Sequence, residues 1–228
     1  MLSHAPDRRI RVGIVEDEPL FRSLLVRALE LDPRFEVVGE WSDAPSALSA
    51  AAGARPQVVT LDIELPGRVD GIQLGFALRQ QMPGLGIVVL SNHDDPRFVG
   101  AVAEDATAGW SYLLKRSVRD VDALGRAVAG AVAGEVVVDP QLLVGLKPRR
   151  GTPLERLTAR QREILALLAQ GLTNATIAER LVLAEKSVEN QLTAVYGELG
   201  IDRRASAVHP RVSAVLVYLR ESRRGRAL

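Results

Sequence analysis

A chain of 228 residues, 47% of them hydrophobic, has room for two modest domains, each with its own core. It holds no cysteine, which excludes disulfides, thiolate metal sites and a cysteine nucleophile and fits a reducing cytosol. No apolar run reaches the length of about 18 residues that a bilayer span needs, and the polar start from Met1 to Arg11 lacks a signal-peptide core, so a cytoplasmic protein without membrane contact is expected.

The net charge of +1 is unevenly spread. Residues 1–150 carry 17 Lys/Arg against 20 Asp/Glu, whereas residues 151–228 carry 12 against 8. An acidic half joined to a mildly basic half suggests two modules with different partners, the second suited to nucleic acid.

The first half alternates strands and helices. Ile10 to Val15 reads as a strand, followed by Glu16-Asp17-Glu18 and then Pro19, which suits the first turn of a helix carrying Leu20, Leu24, Leu25, Ala28 and Leu29. Phe35 to Gly39 is a second strand, and Ala44 to Ala52 a small Ala-rich helix closed by Gly53. Val58 to Leu61 is a short buried strand that ends on the carboxylate of Asp62. A helix over Ile72 to Met82, a strand Ile87 to Leu90 ending at Ser91, and a short helix Arg97 to Ala103 come next. The strand Ser111 to Leu114 ends at Lys115, and a helix over Val118 to Val132 closes the series. Five such alternations predict a five-stranded parallel sheet with helices on both faces.

On that plan Glu16, Asp17, Asp62, Ser91 and Lys115 all project from one edge of the sheet, where open α/β sheets place their ligands. Each has an ordinary reading as a turn residue or a solvated charge. Together they read otherwise. Three crowded carboxylates repel and call for a cation, and hard oxygen ligands suit Mg²⁺. A carboxylate beside Mg²⁺ can attack a phosphoryl group, with the hydroxyl and ammonium stabilising its oxygens.

The stretches Val15-Glu16-Asp17-Glu18-Pro19, Leu61-Asp62-Ile63-Glu64-Leu65-Pro66-Gly67, Val89-Leu90-Ser91 and Tyr112-Leu113-Leu114-Lys115 resemble the receiver domain of two-component response regulators. The resemblance implies a flavodoxin-like α/β fold over about residues 8–133, with Asp62 as phospho-acceptor and a sensor histidine kinase as donor. It also implies that Glu16, Asp17, Asp62 and the backbone carbonyl of Glu64 hold Mg²⁺, that Ser91 and Lys115 contact the phosphoryl group, and that Tyr112 changes rotamer as the switch. Pro66-Gly67-Arg68-Val69-Asp70-Gly71 is one residue longer than the family's usual loop, which bears on metal affinity and phosphoryl lifetime.

Residues 134–153 read as a linker, rich in Gly and Pro and carrying Lys147, Arg149 and Arg150. Its early part is apolar and is expected to pack; Pro148 to Pro153 is expected to be the flexible part, with Arg149 and Arg150 solvated. Residues 154–228 then form a second domain. Thr158 and Gln161 have capping-box spacing ahead of a helix with Ile164, Leu165, Leu167 and Leu168 inside. Thr173 or Asn174 caps a second helix, and Ser187 to Leu199 forms a third, with Val188, Leu192 and Val195 inward. Short helices joined by a tight turn predict a small all-α helix-turn-helix domain whose third helix enters a major groove of double-stranded DNA.

Leu157 to Leu165, Gly171 to Ala178 and Glu185 to Leu192 resemble LuxR-type output domains. The two resemblances together imply a NarL-type response regulator, a phosphorylation-switched transcription factor that acts as a homodimer and is not an enzyme. The expected DNA contacts are Lys186, Ser187, Glu189, Asn190, Gln191, Thr193, Arg203 and Arg204, with Arg160 a weaker candidate. Glu189 stands where the family usually has Lys or Arg, Gln191 where His is common, and Gly197 and Glu198 where basic residues are usual. These departures predict weaker DNA binding at a shifted site, since carboxylates and amides can read base edges while a carboxylate near phosphates costs affinity. His209-Pro210 is expected to interrupt the fourth helix, the family's dimer contact, and Arg220, Arg223, Arg224 and Arg226 to form a disordered basic tail.

Two rival readings follow from the same residues. One is a phosphorylation-dependent protein-interaction regulator that has lost DNA binding, suggested by Glu189 and Glu198. The other is a Mg²⁺-dependent aspartyl-phosphate phosphatase, suggested by Glu64 two residues after Asp62.

Overall fold

The computed structural model describes residues 9–92, 108–202 and 209–224. The chain divides into two compact units, the second beginning its continuous run at Glu135. The helix expected over Arg97 to Ala103 lies outside the described residues.

In the first unit the strands are β1 (Ile10–Val15), β2 (Phe35–Trp41), β3 (Val58–Asp62), β4 (Gly86–Ser91) and β5 (Trp110–Leu114). They run in the order β2-β1-β3-β4-β5, every neighbouring pair parallel. That is the doubly wound, flavodoxin-like order, in which the chain reverses direction across the sheet next to β1. The helices α1 (Pro19–Glu30) and α4 (Val121–Val132) pack together, as do α2 (Ala44–Ala54) and α3 (Gly71–Gln81), giving two helical layers. Strands β3, β4 and β5 are buried along their whole length, which is why they read as predominantly apolar runs.

Local chemistry sets the helix limits. Pro19 starts α1. The Asp43 carboxylate accepts from the Ser46 amide at the head of α2. Gly53 does not end α2: the helix runs to Ala54, and Arg55 closes it in the left-handed region at φ 51°. Asp70 and Gln73 form a capping box on α3. Gly71 is required there, because an added Cβ would lie 2.0 Å from the backbone oxygen of Asp62. Lys115–Arg119 is a 3-10 turn rather than helix, and Asp120 caps α4 after it.

In the second unit the early part of the segment 135–153 is folded, as its apolar residues predict. It holds β6 (Val137–Val138), α5 (Pro140–Leu143) and β7 (Leu146–Pro148), with Asp139 capping α5. A 3-10 turn over Pro153–Arg156 leads into α6 (Ala159–Ala169), α7 (Asn174–Leu181), α8 (Glu185–Glu198) and α9 (Pro210–Arg220). The Thr158–Gln161 capping box and the Thr173 cap form as expected. Ile164, Leu165, Leu168, Ile177, Val188, Leu192, Val195, Val215 and Leu219 make the core of this unit. Helix α8 starts two residues before Ser187. Its cap position is Ala184, which has no side chain to bond the free amides. His209-Pro210 starts α9, Pro at the first helical position removing an amide that would have had no partner, and the helical start expected at Ala205 to Val208 lies outside the described residues.

The tail departs most from expectation. Ser222–Arg224 forms β8 and pairs antiparallel with β7, in the register Leu146–Arg224, Lys147–Arg223 and Pro148–Ser222. The Arg149 amide donates to the Glu221 carbonyl at 2.8 Å and extends the pairing. The basic tail is therefore strand up to Arg224, Arg226 lying outside the described residues, and Pro148 and Arg149, at the start of the segment expected to be flexible, are tied into the pairing. Among the described residues no helix is long and apolar enough to cross a membrane.

Candidate functional site

The C-terminal ends of β1, β3, β4 and β5 bring the predicted polar residues to one place. Glu16, Asp62, Ser91 and Lys115 are buried, while Asp17 is exposed. Glu16, Asp17 and Asp62 each offer a carboxylate oxygen within 4.8 Å of the others. Lys115 lies between two of them, its Nζ 2.8 Å from Glu16 Oε1 and 2.8 Å from Asp62 Oδ2. The other oxygen of Asp62 accepts from the Glu64 amide at 3.1 Å, so the carboxylate is held from both sides.

The backbone around this cluster is equally fixed. The Glu18 amide donates to Glu16 Oε1 at 3.2 Å, and the Glu16 amide donates to the Trp41 carbonyl at 3.0 Å. Arg22, on the first turn of α1, donates to the Glu16 carbonyl at 2.5 Å. The Phe21 ring centre sits 4.8 Å from Lys115 Nζ, a cation–π contact that covers the ammonium. Asn92 donates to Glu64 Oε2 at 3.3 Å beside the site. Sequence reasoning missed Phe21, Arg22 and Asn92. Their nearness in sequence to Glu16-Asp17 and Ser91 is a signal, but helical periodicity marks only the apolar positions of α1.

Electrostatics follow from burial. Burial pushes the Glu16 carboxyl up to about 7; the Lys115 hydrogen bond opposes this and Asp62 adds to it. Burial alone would lower Lys115, but its bonds to Asp62 and Glu16 outweigh it and hold the ammonium above its usual range. Glu16 Oε2 is buried and has no hydrogen-bond partner. An unpartnered carboxylate oxygen next to two further acids is a donor set that suits a hard divalent cation. The cluster therefore fits Mg²⁺: Glu16, Asp17 and Asp62 would supply oxygens, and the Glu64 carbonyl lies two residues from Asp62.

Ser91 ends β4 opposite Leu114 of β5. Tyr112 is fully buried within β5, opposite Val89. Its neighbour Ser111 bonds the Ala127 carbonyl of α4, so the two side chains lie on opposite faces of the sheet.

In the second unit, α8 exposes Lys186, Glu189, Asn190 and Thr193, with Ser187 and Gln191 half-buried. Lys186 Nζ pairs with Glu189 Oε2 at 2.8 Å. Thr193 Oγ1 bonds the Glu189 carbonyl at 2.9 Å. Glu198 pairs with Arg156 at 3.4 Å. Arg160 is largely committed elsewhere: it bonds Glu163 and the Leu181 carbonyl at the end of α7, each at 2.7 Å. Arg203 and Arg204 lie outside the described residues.

Residues 12–124 match the model for the response regulator receiver domain, and residues 155–210 that for bacterial regulatory proteins of the luxR family. The chain is 35% identical over 211 residues to the probable transcriptional regulatory protein NarL of Mycobacterium tuberculosis, covering 91% of this chain and 95% of that one. It is 34% identical over 204 residues to the DNA-binding transcriptional activator DevR/DosR of the same organism, covering 87% and 92%. Among solved structures it resembles RcsB, in a structure of two RcsB dimers bound to two parallel DNAs. The TM-score is 0.52, with 25% identity over 93% of this chain and 98% of that one.

Proposed function

The chain belongs to the two-component response regulators that join a receiver domain to a LuxR-type output domain, and from that premise we propose that Asp62 is its phospho-acceptor and that the acyl phosphate switches DNA binding by α8. The observation that carries this reading is the buried Lys115 ammonium bridging Glu16 and Asp62 at 2.8 Å each, beside an unpartnered carboxylate oxygen.

The donor is a phosphohistidine of a sensor kinase, in keeping with the family. An Asp62 carboxylate oxygen attacks phosphorus, the P–N bond breaks, and the imidazole leaves with the bond's electrons and takes up a proton. Lys115 meets the phosphoryl oxygens with a full positive charge, because its carboxylate partners keep it protonated. The Glu64 amide orients the nucleophile and Ser91 supplies a hydroxyl at the neighbouring strand end. Glu16, Asp17, Asp62 and the Glu64 carbonyl would hold Mg²⁺, which would supply charge neutralisation to the phosphoryl oxygens. Asp62 gives up its Lys115 contact as the phosphoryl group arrives. The change passes to Ser91 and Tyr112, the switch residues.

Output is a homodimer on double-stranded DNA in the cytoplasm, with α8 in the major groove. Glu189, Asn190 and Gln191 read base edges, a carboxylate from a cytosine amino group and amides from adenine. Lys186 contacts phosphate once released from Glu189, and Ser187, Thr193, Arg203 and Arg204 complete the contact set.

The test is phosphorylation of the purified chain with a small phosphodonor and Mg²⁺, followed by intact mass. One added phosphoryl group, labile to base and absent from Asp62→Asn, is expected. A stable gain in Asp62→Asn would refute the assignment.

A further inference from the structure

The groove-facing helix of this output domain is poor in positive charge. Over Glu185–Glu198 it carries Lys186 against Glu185, Glu189 and Glu198, and its one cation is paired to Glu189 at 2.8 Å. Affinity for DNA comes largely from cations that neutralise phosphates and release counterions. A DNA-binding domain with such a helix needs cations elsewhere on the same body.

The two-stranded ribbon of β7 and β8 concentrates them. Residues 146–151 and 220–224 hold Lys147, Arg149, Arg150, Arg220, Arg223 and Arg224 against a single acid, Glu221. That acid is occupied by Arg220 at 3.0 Å. Lys147, Arg149 and Arg150 are exposed, and among the described residues their side chains form no ion pair. Of the nearby acids, Glu163 pairs with Arg160, and Glu155 accepts from the Gly151 amide.

The ribbon is built to be carried rigidly. β8 follows α9 directly, and α9 packs on both α6 and α8, so the ribbon belongs to the body that presents the recognition helix. Three backbone register pairs and the Arg149–Glu221 amide bond hold two segments some seventy positions apart in sequence in one strip.

We propose that the β7–β8 ribbon is a second DNA-binding surface, an electrostatic clamp in which Lys147, Arg149 and Arg150 contact the phosphate backbone and supply the cations α8 lacks. This rests on the DNA-binding reading above and adds to it a surface outside the helix-turn-helix. The ligand is duplex DNA backbone, read without regard to sequence.

The experiment measures binding of the full chain, with phosphodonor and Mg²⁺, to a mixed-sequence duplex across a salt series by fluorescence anisotropy. It compares the wild type, a neutral triple variant (Lys147→Gln, Arg149→Gln, Arg150→Gln) and a charge-retaining triple variant (Lys147→Arg, Arg149→Lys, Arg150→Lys). Each phosphate contact contributes about 0.9 to the slope of log affinity against log salt, so the neutral variant should flatten it by up to about 2.7. The charge-retaining variant should keep the wild-type slope. An unchanged slope in the neutral variant, with wild-type binding intact, overturns the clamp alone. Equal flattening in the charge-retaining variant overturns it too, since the loss would then be structural. Absence of wild-type binding even at low salt overturns the clamp together with the DNA-binding reading.

Discussion

Replacing Lys115 by methionine removes the one cation between two buried carboxylates and should destabilise the metal-free receiver severely at alkaline pH. Each contact of 2.8 Å is worth about 6 kcal/mol of gross attraction at an effective dielectric of about 20. Desolvation of the ammonium offsets much of that, and breaking a buried pair by deleting one partner costs about 3–5 kcal/mol. Part of the loss is recoverable by protonation. Glu16 already has its pKa raised to about 7 in the folded chain, above its ordinary 4.5, and loss of the Lys115 hydrogen bond, which opposes that rise, pushes it further up. A carboxyl raised on folding contributes stability that is full below its unfolded value and lost as pH rises through its folded value. The deficit of Lys115→Met should therefore be about 3–5 kcal/mol at pH above the raised value and shrink steadily as pH falls towards about 5. Both tryptophans of the chain, Trp41 and Trp110, are buried in the first unit, so their fluorescence in a urea titration reports its unfolding alone. Added Mg²⁺ should restore part of the loss at alkaline pH. A deficit under about 1 kcal/mol at alkaline pH, or one that does not shrink on acidification, would refute the buried ion-pair reasoning.

Three further substitutions probe other parts of the account. Gly71→Ala forces a Cβ to within 2.0 Å of the Asp62 carbonyl and should cost about 3 kcal/mol in the same titration, with loss of phosphorylation. Ala184→Ser should raise output-domain stability by about 1 kcal/mol, read by thermal unfolding in far-UV circular dichroism, because α8 has no side-chain cap. Glu189→Lys should tighten DNA binding and steepen the salt dependence by about 1, since it replaces the acid now holding Lys186; unchanged affinity would count against α8 lying near phosphates.

The receiver was legible because its physics is local and repetitive. Parallel strands covered on both faces are predominantly apolar, so the change to Glu16, Asp62, Ser91 and Lys115 marks where each strand ends. The capping boxes at Asp70 and Thr158 are likewise local signals. What escaped reading depends on contacts distant in sequence or on unfavourable local choices. Ser222–Arg224 has neither alternation nor β-branched residues, and only pairing with Leu146–Pro148 makes it a strand. Helix α8 begins at an alanine cap, and the turn before it places Val182 at φ 53°, a conformation valine disfavours. No propensity rule predicts either; what the chain gains here is the burial of Val188 and Leu192 on the helix that follows. Phe21 over Lys115 needed the approach of α1 to the end of β5, which periodicity does not report.

The central claim, that a phosphoryl group on Asp62 gates DNA binding, is tested most directly by genomic-fragment capture with the purified chain at near-physiological salt. The capture is run with and without a small phosphodonor and Mg²⁺, beside Asp62→Asn. The account predicts a discrete motif enriched only with donor and lost in the variant. Equal enrichment without donor, or in Asp62→Asn, would contradict the gate, and no enrichment in any condition would contradict DNA binding itself and favour a regulator that acts through protein contacts.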